Sequence, residues 1–289
     1  MSHYTQRGSR LFAPVDVPQA SDPHLSMAQR AVHARTGMAF DAVSRDGMAG
    51  QFRVFDEGGL LVVLTTARGL GFLNTVTVTD AASARGLPDV LALFRAAGTE
   101  VPIVVSADES EAGNAELAQL GLEPAGARPI AFISLHAALS AAEQADDGTV
   151  RVTEARTPQA RALFLDVLLA GYDGAAEVER LIRAEHSSEA VIAFLAWIDD
   201  EPVAGAAMSL HSDSLVLGGA ATLVARRGSG AQTALLRAFG TNPEVRAVAD
   251  RGAAAIAAAT AAPGSPSLRN MARAGFAIRP RRTWRLVGR

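Results

Sequence analysis

The sequence predicts an α+β protein built as two tandem copies of one unit. Two observations carry this. The first is a pair of hairpin-like blocks. Strand-like runs over 51–55 and 60–64 flank the turn signal Asp56-Glu57-Gly58-Gly59, and runs over 191–198 and 202–210 flank Asp199-Asp200-Glu201. The second is that the elements following each hairpin recur in one order, at offsets of about 143–154 positions. Internal similarity of this kind decides the architecture before any single element does.

Each element has its own reason. A third strand with a small, turn-prone start is expected over 71–78 and again over 218–224. A helix follows over 87–97 and 230–239, where Leu91 and Phe94, then Leu235, Leu236 and Phe239, recur at helical spacing. Apolar runs over 101–106 and 253–260 read as buried strands. Short helices then end on Gly121-Leu122 and Gly275-Phe276, where glycine suits a C-cap. Runs over 130–135 and 283–287 read as the closing strand of each half. The first ~25 residues are poorly patterned and read as an arm or a first strand with its lead-in. A polar, acidic linker over 144–149 separates domains at 1–145 and 150–289.

Composition narrows the chemistry. The 289 residues contain no cysteine, which removes disulfides, thiolate metal sites and cysteine nucleophiles. All 27 basic residues other than histidine are arginine, which removes a phosphate-binding or Schiff-base lysine. A net charge of −3 argues against a general nucleic-acid binder. Residues 1–148 hold 10 arginines and 17 acids, whereas 149–289 hold 17 arginines and 13 acids, a balance that suits an anionic ligand in the second half or is ordinary surface variation. The longest near-apolar run, over 252–262, is well short of the roughly 20 residues that span a bilayer. No apolar signal core follows Arg7 and Arg10, and a cytoplasmic location is expected. The histidines, at 3, 24, 33, 136, 186 and 211, show no metal-ligand spacing, and no metal is expected. His211 reads as part of a solvated turn, and His186 as a cation at a helix end.

The chemistry concentrates in Ala225-Arg226-Arg227-Gly228-Ser229-Gly230, between an expected strand and an expected helix. A glycine turn at a helix start gathers unpaired N–H groups and the positive end of the dipole, which suits a pyrophosphate. Gly228 and Gly230 let the backbone approach, and Arg226 and Arg227 add charged donors. A dinucleotide loop is the competitor, with Asp250 about 20 residues on, but Thr233 stands at its third glycine position. The first half carries Ser83-Ala84-Arg85-Gly86-Leu87-Pro88 at the matching place, with one glycine and a proline that removes a donor. That half is expected to bind no such anion.

The second half resembles the GNAT N-acyltransferases. The resemblance rests on Thr222-Leu223-Val224, then Arg227-Gly228-Ser229-Gly230-Ala231-Gln232, and about 35 residues later Ser267-Leu268-Arg269-Asn270-Met271, ending at Gly275-Phe276. It covers ~150–289, and the first half resembles the same fold in element order only. It implies two GNAT-like domains, each a mixed, mostly antiparallel sheet flanked by helices, the first degenerate. It also implies an acyl-CoA co-substrate, acetyl-CoA by family habit, and transfer to an amine by direct attack on the thioester. The amides of Arg226 to Ala231 would then cradle the pyrophosphate, Leu223 and Val224 would pair with pantetheine, and Ser267 and Asn270 would face the co-substrate. Ser267 also suits plain helix capping. The acceptor would be a small amine, since no peptide-binding element is legible. Two departures stand out. Ala225 replaces a common Gln or Arg, and Met271 replaces a tyrosine that protonates the leaving thiolate. Tyr172 and Asp173, in the loop bordering the acceptor site, and Thr222, able to orient water, are the remaining catalytic candidates. A non-catalytic acyl-CoA sensor is the alternative, and the first half could instead serve a homodimer.

Overall fold

The computed structural model describes residues 22–108, 110–143, 149–172, 175–252 and 254–286. The first half runs α1 (Pro23–Arg45), β1 (Phe52–Glu57), β2 (Leu60–Thr65), β3 (Thr75–Val78), α2 (Leu87–Ala96), β4 (Ile103–Ser106), α3 (Glu111–Gln119), β5 (Leu122–Ala127), β6 (Ile130–Ser134) and α4 (Leu135–Glu143). The second runs β7 (Arg151–Glu154), α5 (Pro158–Leu169), α6 (Ala176–His186), β8 (Val191–Ile198), β9 (Glu201–His211) and β10 (Ser214–Thr222). It continues with α7 (Ala231–Thr241), α8 (Pro243–Ala249), β11 (Ile256–Thr260), α9 (Pro266–Arg273), β12 (Ala277–Arg279) and β13 (Arg282–Leu286). The repeat order predicted from the sequence is present, and both sheets are mixed. Only β3–β4 and β10–β11 pair in parallel. Among the described residues no helix is long and apolar enough to cross a membrane.

The closing strands differ from expectation in their partners. The first sheet has the order β1-β2-β3-β4-β13-β5 and the second β12-β6-β11-β10-β9-β8-β7. Each half therefore lends its last strand to the other. The crossings are the two-residue links Arg128-Pro129 and Pro280-Arg281, and the Arg128 N–H donates to the Arg281 carbonyl at 2.8 Å. Proline suits such a link, because it needs no ladder donor. The exchange is sealed by burial. Trp284 of β13 is 2% exposed among Leu60, Val76 and Phe94, while Ile130 of β6 packs with Ile256 and Ala28.

Helix α1 was not legible from periodicity. Its buried positions include Ala28, Gln29, Ala31, Arg35 and Ala39, so its inner face is not a clean apolar stripe. Its start does carry a signal: Asp22 Oδ1 accepts from the His24 N–H at 3.1 Å, with Pro23 in the first turn. The expected linker residues 144–148 and the arm 1–21 lie outside the described residues.

Candidate active site

Strand β10 opens the site. Ser214 to Leu217 pair with β11 from Ile256 to Ala259, and the five residues after them, through Thr222, have no partner on that side. Against β9 the register shifts between Gly218 and Ala221, where three steps on β10 oppose two on β9. This bulge and a glycine at φ 61°, Gly219, turn the strand away from β11. In the first half all four residues of β3 pair with β4, with no shift. Only the second half is splayed.

The loop beyond β10 shapes the mouth of the splay. Gly228 and Gly230 both have φ 85°, with open space where a Cβ would stand. Gly230 precedes α7, and no side chain caps that helix, so the first amides from Ala231 remain available. The Ser229 Oγ is shielded from solvent and has no partner. At the matching place in the first half a 3-10 turn over Ser83–Gly86 runs straight into α2, and Asp80 Oδ1 takes the Ser83 N–H at 2.8 Å. The start of α2 at Gly86 has no side-chain cap either, but the chain enters it from that turn without a glycine pair.

The result is a groove of about 640 Å³. It is lined by Gly171, Gly205, Ala220, Ala221, Thr222, the loop from Arg226 to Ala231, Ser267 and Asn270. Gln232 bridges its far wall, donating to Ser267 Oγ at 2.7 Å and accepting from Asn270 Nδ2 at 2.7 Å. Arg273 extends this network to Asn270 Oδ1 at 2.9 Å. Ser265, not Ser267, caps α9, which leaves Ser267 to the groove. Arg226 is ion-paired with Glu201, whereas exposed Arg227 has no ion-pair partner among the described residues.

A polar cluster sits behind the bulge. Arg35, from α1, donates from Nε to Glu185 Oε1 at 2.7 Å and from Nη1 to Ser209 Oγ and the Val216 carbonyl, both at 3.1 Å. Its Nη2 lies 3.3 Å from His186 Nε2. A Cβ on Gly218 would stand 3.1 Å from the Arg35 Cζ, so the glycine pair makes room for a guanidinium and an imidazole. His186 Nδ1 lies 2.8 Å from the Ile182 carbonyl, which can only accept. The ring therefore carries its proton on Nδ1, and Nε2 accepts from Arg35.

Two histidine readings are corrected here. Burial, then Arg35, lowers the His186 pKa against the opposing pull of Glu185, so it is a neutral buried ring and not a helix-end cation. His211 is half-buried, shares a hydrogen bond with the Ser209 hydroxyl at 2.8 Å, and is pushed down to about 4 by burial and Arg35.

Solved structures share this architecture. A GCN5-related N-acetyltransferase from Kribbella flavida superposes with a TM-score of 0.54 at 15% identity, over 87% of this chain and 93% of that one. A tandem GNAT protein from the clavulanic acid biosynthesis pathway does so with a TM-score of 0.55 at 14% identity, over 93% and 96%. The chain has a tandem GNAT fold. A GCN5-related N-acetyltransferase from Sphaerobacter thermophilus matches at 0.50 and 15% identity, over 90% of each chain. No family model and no curated protein sequence matches.

Within this fold the loop residues from Arg226 to Ala231, with Thr222, Ser267 and Asn270, come together in one groove. Leu223 and Val224 do not join them. The Leu223 N–H is spent on the Val203 carbonyl, and Val224 is 67% exposed in a 3-10 turn. The unpaired strand edge lies earlier, up to Thr222. Tyr172 follows Gly171 at the groove wall and is 45% exposed. Desolvation and the charge of Glu185 raise its phenol pKa, with Arg35 opposing. Asp173 lies outside the described residues. Met271 is 3% exposed within the core beneath α7 and α9. Gln232, Arg35 and Glu185 were missed. Gln232 stood beside a motif already noted, but nothing local in the sequence links Arg35 to a bulge over 180 positions away.

Proposed function

We propose that the protein is an acyl-CoA-dependent N-acyltransferase, with acetyl the acyl group and a small amine the acceptor. The carrying observation is that strand splay and an uncapped glycine-rich helix start coincide in the second half only. The groove fits the co-substrate by its own chemistry. Free amides from Ala231 onward and the unpartnered Ser229 Oγ suit pyrophosphate oxygens, with Arg227 as a charged donor. The unpaired edge up to Thr222 suits the amides of pantetheine. The first half has no splay and no glycine pair at its helix start, and binds no CoA.

In the reaction the amine nitrogen attacks the thioester carbonyl carbon. The C–S bond breaks, sulfur leaves with the electron pair, and the nitrogen loses one proton. The groove's contribution is close approach and orientation. A thiolate is a stable leaving group, with a thiol pKa near ~8.5, so a general acid assists without being obligatory. A sensor that binds acyl-CoA without turnover is the second reading, favoured by the buried apolar Met271. The test is thiol release from acetyl-CoA across a panel of small amines. Release that depends on one amine supports the transferase. Binding without release from any amine supports the sensor.

A further inference from the structure

Resting on the transferase reading, the geometry points to an acceptor side shared by both halves: Glu185 takes the proton of the attacking amine, and Arg35 of α1 is the positioning residue that aims it.

The location comes first. The groove's strand wall is Ala220, Ala221 and Thr222, and the next residues toward the sheet are Gly218 and Gly219. Arg35 and His186 pack against those two glycines, where a Cβ would meet them. Tyr172 adjoins Gly171 on the same wall and feels the Glu185 charge. The cluster and the groove therefore meet at the bulge.

Elimination comes second. The titratable and charged groups facing the bulge are Arg35 from α1, Glu185 and His186 from α6, His211 from β9 and Tyr172 after α5. Arg35 can only donate. The His186 lone pair accepts from Arg35, and its Nδ1 proton serves the Ile182 carbonyl. The His211 Nε2 is engaged with the Ser209 hydroxyl at 2.8 Å. Glu185 differs. Its Oε1 is taken by Arg35 Nε, but Oε2 has no hydrogen bond among the described residues, and the side chain is 15% exposed. It is the one open carboxylate oxygen at this place among them. The neutral His186 ring turns its Nδ1, 3.9 Å from Oε2, to the Ile182 carbonyl instead.

The step balances without a further reagent. An ammonium proton of the acceptor passes to Glu185 Oε2, the freed amine nitrogen forms its bond to the carbonyl carbon, and the thiolate departs with the C–S pair and takes up the nitrogen's second proton. Arg35 fixes the carboxylate through one planar fork that also holds Ser209, the Val216 carbonyl and His186, so Oε1 is pinned while Oε2 keeps no hydrogen bond among the described residues. Helix α1 thus gives the degenerate half a part in the reaction.

The test is the pH dependence of kcat/KM for the full chain with acetyl-CoA and the amine selected by the panel, in wild type, Glu185→Gln and Arg35→Lys. Glu185→Gln keeps an oxygen for Arg35 and should fold and bind CoA normally. Its rate near pH 7 should fall ~10²-fold, the usual scale for proton transfer. The deficit should close as pH rises toward the amine's own pKa, since a free amine needs no base. Arg35→Lys should show a smaller loss with the same closing at high pH. A wild-type rate in Glu185→Gln, or a deficit equal at every pH, overturns the assignment while leaving the transferase intact. A wild type that binds CoA and acylates nothing overturns the transferase reading, and this assignment with it.

Discussion

A Cβ on Gly219 would stand 1.9 Å from the Nε2 of His186. The glycine's φ of 61° adds a second reason for the residue type. Gly219→Ala should therefore cost ~1–3 kcal/mol, since clash and backbone strain act together. Adding His186→Ala removes the clash and leaves the strain, so the double variant should recover part of the loss. Denaturant unfolding of the three variants measures this. Simple additivity of the two single losses would show that the contact is not what restricts the site.

Acid should weaken the fold well above the carboxylate range. Folded His211 resists protonation until about 4, whereas its ordinary value is 6.5. Between those values the unfolded chain binds a proton that the folded chain refuses, so stability falls as pH drops through that window. His186, also shifted down, acts in the same direction. Thermal melts should show a midpoint level above pH 7 and falling toward pH 5. His211→Gln should flatten part of that slope. An unchanged slope in the variant would mean that His211 is protonated freely in the folded protein.

Trp284 belongs to the second half in sequence and to the core of the first in space. Trp284→Ala should cost ~3–5 kcal/mol, the usual range for emptying such a site. Because the strand exchange is reciprocal, calorimetry should show both halves melting in one transition. Trp284→Phe should cost far less, since the indole N–H is buried without a partner. Two separate transitions, with only one shifted by Trp284→Ala, would mean that the halves are not coupled.

Met271 bears on whether a phenol could be restored to α9. From sequence, Met271 is expected to pack apolar against the helix or co-substrate, and Met271→Tyr to raise turnover if turnover occurs. The packing is as expected, since the side chain is 3% exposed in the core, and that burial argues against the gain. Met271→Tyr should lose ~1–3 kcal/mol by overpacking, with an added cost for a hydroxyl without a partner. Met271→Leu should lose less than ~1.5 kcal/mol and keep its CoA affinity. Faster thiol release by a stable Met271→Tyr would show that the residue reaches the groove.

The repeat and the loop at Gly228 were legible because they are local patterns: apolar periods, turn residues and a glycine pair at a helix start. The strand exchange was not, since β6 and β13 look the same in sequence whichever sheet receives them. Helix α1 escaped notice because alanine and a buried arginine replace an apolar stripe. The cluster of Arg35, Glu185 and His186 joins residues 150 and 151 positions apart. No spacing rule reaches that far. Its one trace was Gly218-Gly219, which reads as an irregular strand without showing that two side chains fill the space.

The measurement that bears most directly on the whole account is a calorimetric titration of CoA into the full chain, beside Gly228→Asp. One site per chain is expected in the wild type, because only the second half is splayed and only its helix start carries a glycine pair with open space beside it. A carboxylate at 228 would meet the pyrophosphate, so affinity should fall several-fold to hundreds-fold while the variant stays folded. Two equivalent sites per chain, or an unchanged affinity in folded Gly228→Asp, would contradict the account.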